Sequence, residues 1–245
     1  MPAAELKKRW RNGEVTYGAT IKLGSPWMAE VLAVSGFDFI KIDLQHGINF
    51  ESSLLPMFQA MRGTDVTPLV KIPEIDPVVI GRVLDWGAEG ITVPDVATPE
   101  DAQRAVAATR HPPEGIRSNS AFRLKYLPGG MLRETICVAT IESKVGAQNA
   151  AAIAALPGID GITIGPGDLA LDLGLPPVEG HAIRPGPHAD AINAIIKACK
   201  ENGVACGMTG DSGGKELKEL GMQIISLGAD AAFFEAGMKA ALAKR

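Results

Sequence analysis

Along this chain, short continuous apolar runs alternate with longer stretches in which apolar residues recur every three to four positions. Continuous apolar runs suit parallel strands covered on both faces, and the longer periodic stretches suit helices packed over them. The pattern predicts strands at Tyr17–Leu23, Phe39–Asp43, Leu69–Ile72, Gly90–Pro94, Ile136–Glu142, Gly161–Gly165, Val204–Thr209 and Ile224–Leu227. It predicts helices at Pro26–Val34, Glu51–Arg62, Pro77–Trp86, Pro99–Thr109, Val145–Ala155, Ala189–Asn202, Gly214–Leu220 and Ala231–Lys244. The punctuation agrees. Ser25-Pro26, Asp76-Pro77 and Thr98-Pro99 each pair an N-cap with proline at the first helical position, and Gly36, Gly63, Gly87 and Gly203 stand where helices should stop. Such a series of βα units points to a closed α/β (β/α)8 TIM barrel, one domain spanning residues 1–245. An open doubly wound sheet is the alternative. It would favour a Gly-rich fingerprint after the first strand, which Leu23-Gly24-Ser25-Pro26 does not match.

Two connections exceed ordinary turns, Arg110 to Thr135 and the Pro- and Gly-rich Asp172 to His188. Loops of that length are commonly lids, specificity loops or subunit contacts. Aromatic residues are only 5% of a chain that is 46% hydrophobic, so the core is aliphatic. A formal charge of −4 argues against a broad nucleic-acid or anionic-membrane surface. No apolar stretch approaches the roughly 20 residues of a membrane span. Met1 to Arg11 is charged and no apolar signal core follows it. Cys137, Cys199 and Cys206 are odd in number and lack metal-ligand spacing, as expected of reduced thiols in a cytoplasmic protein.

The chemistry gathers at strand ends. One apolar run stops at Glu142, and another opens into Gly165-Pro166-Gly167-Asp168. On neighbouring parallel strands these carboxylates emerge together on the C-terminal rim, where they suit a hard divalent cation with positions open to substrate oxygens and water. A third run ends in Asp43-Leu44-Gln45-His46-Gly47 and brings a general base to the same rim. Gly165 and Gly167 let backbone approach a ligand closely, although Gly-Pro-Gly would make a tight turn in any case. The segment Gly210-Asp211-Ser212-Gly213-Gly214 imitates the surroundings of a chymotrypsin-type nucleophile. That chemistry needs an aligned His and Asp on an all-β scaffold, so Ser212 reads as a helix-entry residue.

Taken in order, Asp43-Leu44-Gln45-His46-Gly47, Leu84-Asp85-Trp86-Gly87-Ala88, Pro112-Pro113-Glu114-Gly115-Ile116-Arg117-Ser118, Glu142-Ser143 and Gly165-Pro166-Gly167-Asp168-Leu169 resemble the 4-hydroxy-2-oxoheptanedioate aldolase (HpcH/HpaI) family. The resemblance runs from about Gly18 to Ala229. It implies a metal-dependent pyruvate aldolase on a (β/α)8 barrel, cleaving or forming a 4-hydroxy-2-oxo acid by way of an enolate. Its partners would be a small 2-oxo acid and an aldehyde. It further implies that Glu142 and Asp168 hold Mg²⁺, Mn²⁺ or Co²⁺, that His46 shuttles protons at the C4 hydroxyl, and that Asp85 is the partner of that histidine.

Asp85 falls about two turns into its helix, which runs back from the catalytic rim, so His46 of its own chain should be out of reach. The expectation is that Asp85 serves a neighbouring subunit; the alternative is a solvated helix residue. The resemblance implies a homohexamer, with Ala231–Lys244 packing across an interface or exchanged between subunits. One position departs from the pattern: Val70-Lys71-Ile72-Pro73 supplies lysine where the family has an arginine that binds the pyruvate oxygens. Lys71 keeps the charge without the planar fork. Three readings stand: a point charge for the enolate, a Schiff-base nucleophile, or a barrel turned to another metal-enolate reaction such as decarboxylation or C–C hydrolysis. A non-catalytic oxyacid-binding barrel is the reading outside enzymes. Arg117 and Arg123, in the long loop, are candidates for binding the distal end of a substrate, with surface or subunit contacts as the alternative. Arg184, His181 and His188, in the second long loop, stand under the same pair of readings.

Overall fold

Strands β1 (Thr16–Ile21), β2 (Phe39–Asp43), β3 (Thr67–Lys71), β4 (Gly90–Val93), β5 (Ile136–Ile141), β6 (Gly161–Ile164), β7 (Ala205–Thr209) and β8 (Ile224–Ala229) each pair in parallel with the next in sequence. β8 pairs in turn with β1, so the sheet closes into the expected (β/α)8 barrel. The computed structural model describes residues 1–120, 122–178, 180–210 and 212–245. Asp211, in the segment that imitates a protease nucleophile, lies outside the described residues. Ser212–Gly214 forms a 3-10 turn ahead of a helix.

The helices are α1 (Ala3–Arg11), α2 (Pro26–Ala33), α3 (Glu51–Ala60), α4 (Pro77–Trp86), α5 (Pro99–Thr109), α6 (Lys144–Gln148), α7 (Ala150–Ala154), α8 (Pro166–Asp172), α9 (Pro187–Asn202), α10 (Lys215–Glu219) and α11 (Asp230–Leu242). Their starts follow the capping chemistry read from sequence. Ser25 Oγ accepts the Met28 N–H at 3.3 Å, Asp76 Oδ1 accepts that of Val78 at 2.7 Å, and Thr98 and Asp101 form a reciprocal capping box. The single helix expected over Val145–Ala155 is instead two short ones meeting at Asn149. Asn149 Nδ2 donates to Ala97 O at 2.8 Å, and this tie to the preceding βα unit competes with a straight helix.

The sequence pattern passed over α1. Its Lys and Arg residues conceal an apolar stripe of Ala3, Leu6 and Trp10, spaced three and four apart. That stripe packs against Phe39, Leu69, Ile136, Val138, Ala205 and Ile224 at the N-terminal ends of the strands, forming a floor apart from the main aliphatic core. A Cβ on Gly18 would stand 2.2 Å from the Phe39 ring, so the absence of a side chain there lets the ring lie under β1. Trp10 Nε1 donates to Thr16 Oγ1 at 2.8 Å, and Thr16 Oγ1 donates to Gln223 O at 2.9 Å. Buried Lys7 pairs with Glu134 and Asp160 at 3.1 and 3.0 Å.

The long loop after α5 contains two 3-10 turns, Leu124–Tyr126 and Gly130–Leu132. It is strapped to the end of α4. Arg133 donates to Leu84 O and Ala88 O at 2.7 and 2.6 Å, and Arg123 donates to Trp86 O. Cys137, Cys199 and Cys206 are buried free thiols, and burial pushes the Cys137 thiol up to about 12. Among the described residues no helix is long and apolar enough to cross a membrane.

Candidate active site

A cavity of about 570 Å³ opens at the C-terminal ends of the strands. Because inward side chains recur every second residue, each strand contributes a ladder of positions rising from the floor. Phe39, Leu69, Val138 and Ile224 are the lowest rungs and are apolar. Lys41, Thr140 and Ser226 come next on their strands, joined by Thr20, Thr92 and Thr163, while Lys71 reaches the level of Asp43. Asp43, His46, Glu142, Gly165 and Asp168 line the cavity nearer its mouth. The barrel interior is therefore apolar below, carries hydroxyls and the Lys41 ammonium in the middle, and gathers its carboxylates at the rim.

Glu142 follows β5 and is only 6% exposed. Its Oε1 accepts the Asp95 N–H at 3.0 Å. Asp95 adopts a left-handed backbone (φ 49°), rare for a residue with a Cβ, and this turns its amide toward the carboxylate. Burial pushes the Glu142 carboxyl up, against the opposing pull of the Asp95 amide and the Lys71 charge. A Cβ on Gly165 would stand 2.3 Å from Glu142 Oε2, so the glycine leaves that oxygen its place.

Asp168 stands in the first turn of α8, a helix absent from the sequence pattern, which assigns a turn or a close backbone approach to Gly165-Pro166-Gly167. Two contacts set that turn. Gly165 N–H donates to Ile141 O at 3.1 Å, and the imidazole of fully buried His188 meets Pro166 O at 2.9 Å through Nε2. Since His188 Nδ1 accepts the Arg184 N–H at 3.1 Å, Nε2 carries the proton that Pro166 O accepts. His188 thus positions the Asp168 segment from below and does not face substrate. His46 is placed by its own loop: Asp43 Oδ1 accepts the N–H groups of both Gln45 and His46 at 2.9 Å. Asn49 Nδ2 ties Asp43 O to Ile21 O, at 2.7 and 2.9 Å.

Lys71 ends β3 level with Asp43, and Lys41 sits on β2 level with Thr20. Burial, with the nearby Lys71 charge, lowers the Lys41 ammonium to about 8. The sequence reading missed Lys41, whose signal was a charged residue in the middle of an otherwise apolar strand.

Asp85, Arg117 and Arg123, all expected at the site, do not line this cavity. Asp85 lies in the last turn of α4 and pairs with the buried guanidinium of Arg117 at 2.6 Å. Asp85 lines a separate cavity of about 550 Å³ with Trp86, Ile116 and Phe122. Within one chain the Arg117 guanidinium is held by Asp85 and does not line the strand-end cavity. Arg123 is likewise held at Trp86 O.

Among the described residues no three His, Cys, Asp or Glu side chains converge as a metal cluster. The pair Glu142 and Asp168 nevertheless fits a divalent cation. Glu142 is a buried carboxylate whose Oε1 takes a single backbone amide, and among the described residues no Lys or Arg reaches it as an ion pair. Two carboxylates leave the remaining positions of an oxygen-seeking ion to water and substrate.

The model of the HpcH/HpaI aldolase/citrate lyase family matches residues 18–235. The chain belongs to that family. It is 35% identical to a 5-keto-4-deoxy-D-glucarate aldolase of Salmonella arizonae over 233 residues, covering 91% of this chain and 90% of the relative. A crystal structure of an HpcH/HpaI aldolase/citrate lyase family protein from Burkholderia cenocepacia J2315 superposes with a TM-score of 0.88 at 31% identity, covering 98% of each chain. That of the citrate synthase SbnG superposes with a TM-score of 0.84 at 29% identity, covering 98% of this chain and 96% of that one. The protein is a carbon–carbon lyase, an aldolase of this family. Class II aldolases of the family depend on a divalent metal, and their substrates are small molecules.

Proposed function

We propose that this aldolase cleaves, and in reverse forms, a 4-hydroxy-2-oxo acid, with Glu142 and Asp168 as the ligands of Mg²⁺, Mn²⁺ or Co²⁺. The observation that carries the reading is one cavity lined by Glu142, Asp168, Lys71 and His46. When bound, the cation supplies Lewis-acid polarisation of the 2-oxo carbonyl. Gly165 and Gly167 keep side chains away from the bound acid. Lys71 places its ammonium beside the oxygen on which charge develops as the C3–C4 bond breaks. His46 takes the proton of the C4 hydroxyl as that bond breaks, releasing the aldehyde. The electron pair of the bond becomes the enolate, and the proton is then available to C3, which yields pyruvate.

Lys71→Arg separates the point-charge role from a covalent one. As a point charge, Lys71 can be replaced by a planar cation, and the variant should retain metal-dependent pyruvate release within about tenfold of the wild type. Borohydride should trap no pyruvate on the wild type. Loss of activity in the variant together with a trapped adduct would convert Lys71 into a Schiff-base nucleophile.

We also infer a homo-oligomer, a hexamer by the family resemblance, in which Asp85 completes the His46 site of a neighbouring subunit and Arg117 positions Asp85. Two exposed apolar stripes support it: Trp27, Val31 and Val34 along and just beyond α2, and Phe234, Met238 and Leu242 along α11. His46→Ala and Asp85→Ala should each be nearly inactive alone. Mixed oligomers, formed by dissociation and reassembly, should recover a fraction of the activity. No recovery in demonstrably mixed oligomers, or a monomer in solution, would exclude the shared site.

A further inference from the structure

The middle of the barrel contains more polar chemistry than the rim reaction uses. Lys41 projects from β2 into the cavity two residues above Phe39 of the apolar floor. Among the described residues no hydrogen bond or ion pair engages its Nζ, although the cavity also contains carboxylates. Thr20 stands beside it on β1, in register, and lines the same cavity. Ser226 follows on β8, and its Oγ is buried without a hydrogen-bond partner. Ser226 is 94% removed from solvent, so this hydroxyl is a desolvated polar group awaiting something to bind. A lone ammonium and an orphan hydroxyl on three consecutive strands, facing one enclosed volume, are each costly unless a ligand compensates them. Lys41 supplies positive charge and donors only, and the hydroxyls can donate as well, so the complementary ligand is a small anion rich in acceptors.

We propose that Lys41, Ser226 and Thr20 form a carboxylate-binding subsite inside the barrel, below the Glu142–Asp168 rim. Lys41 donates a charge-assisted hydrogen bond to one carboxylate oxygen, and the two hydroxyls donate to the carboxylate from the neighbouring strands. The planar group rests above the apolar floor of Phe39 and Ile224. The carboxylate comes either from the substrate itself, reaching down from the rim, or from a free small carboxylate bound beneath it. The subsite rests on reading this cavity as the active site, and its test is arranged to be independent of turnover.

The experiment uses the full-length protein freed of metal by chelation, with malonate as probe and chloride holding ionic strength constant. Malonate should raise the melting temperature of the wild type in a saturable manner. Lys41→Met should weaken the apparent affinity about tenfold or more, and Ser226→Ala severalfold, while Lys71→Met retains the response. Absence of any response in the wild type would overturn the proposal. So would a response that survives Lys41→Met and vanishes in Lys71→Met, since the anion would then belong to the rim. In the metal-loaded enzyme, malonate that competes with the 2-oxo acid identifies the substrate's own carboxylate as the natural occupant. Inhibition or activation that is not competitive identifies a free one. An inactive enzyme that still binds malonate through Lys41 would retract only the aldol assignment, whereas an active aldolase whose Lys41→Met variant binds equally well would retract only the subsite.

Discussion

Alanine at Glu142 or at Asp168 is expected to lower pyruvate release by about a thousandfold or more at saturating metal, while the folded barrel persists. Each substitution removes one of two carboxylates, and a site with so few charged oxygens has no spare ligand. Neither residue belongs to the aliphatic core, so far-ultraviolet dichroism and the melting transition should remain cooperative. For Glu142 the melting temperature should even hold or rise in metal-free buffer, because a carboxylate whose charge burial disfavours is gone. Undiminished turnover in either variant, or in chelated wild type, would refute the metal assignment. Gly165→Ala probes the same ligand without deleting it. Its backbone (φ −96°, ψ 88°) accommodates a side chain, but the new Cβ would meet Glu142 Oε2 at 2.3 Å and push the carboxylate aside. The expected outcome is a metal requirement raised by about 10–100-fold. An unchanged metal titration would show that the carboxylate adapts without cost.

Trp10→Ala is expected to destabilise the barrel by about 3–5 kcal/mol, read from the midpoint of urea unfolding. The indole is nearly buried, fills the floor against Phe39 and Ile224, and bonds Thr16 at the start of β1. Trp10→Phe should retain most of the packing and lose the hydrogen bond, at a cost of about 1 kcal/mol plus the smaller ring volume. A loss below about 1 kcal/mol for the alanine variant would mean that the floor collapses around the gap or that α1 is dispensable.

The barrel was legible because its strands are short, apolar and buried on both faces, and because Pro and Gly mark most helix boundaries. Strand β2 and helices α4 and α5 fall on the residues the pattern assigns. Local signals failed where tertiary contacts decide. Helix α1 is stabilised by a floor that exists only once eight strands have closed over it, and its charged outer face hid the stripe. Helix α8 was hidden by Gly165-Pro166-Gly167, whose turn chemistry also suits a helix start; the link from His188 to Pro166, across 22 residues, has no local trace. At the site, Glu142, Asp168, His46 and Lys71 were visible as strand-end residues, and one cavity joins them. Arg117 was visible too, but nothing in its sequence neighbourhood shows that Asp85, 32 residues earlier, holds its guanidinium. Lys41 escaped because a charge inside an apolar run is easily taken for an outward-facing residue.

Helix α1 also governs traffic. With the N-terminal end of the barrel filled by Leu6 and Trp10, substrate, water and products share one doorway at the opposite end. In the proposed reaction, whichever fragment lies deeper must wait for the other to clear the entrance. Cleavage and its reversal then share one mouth and run in opposite order through it.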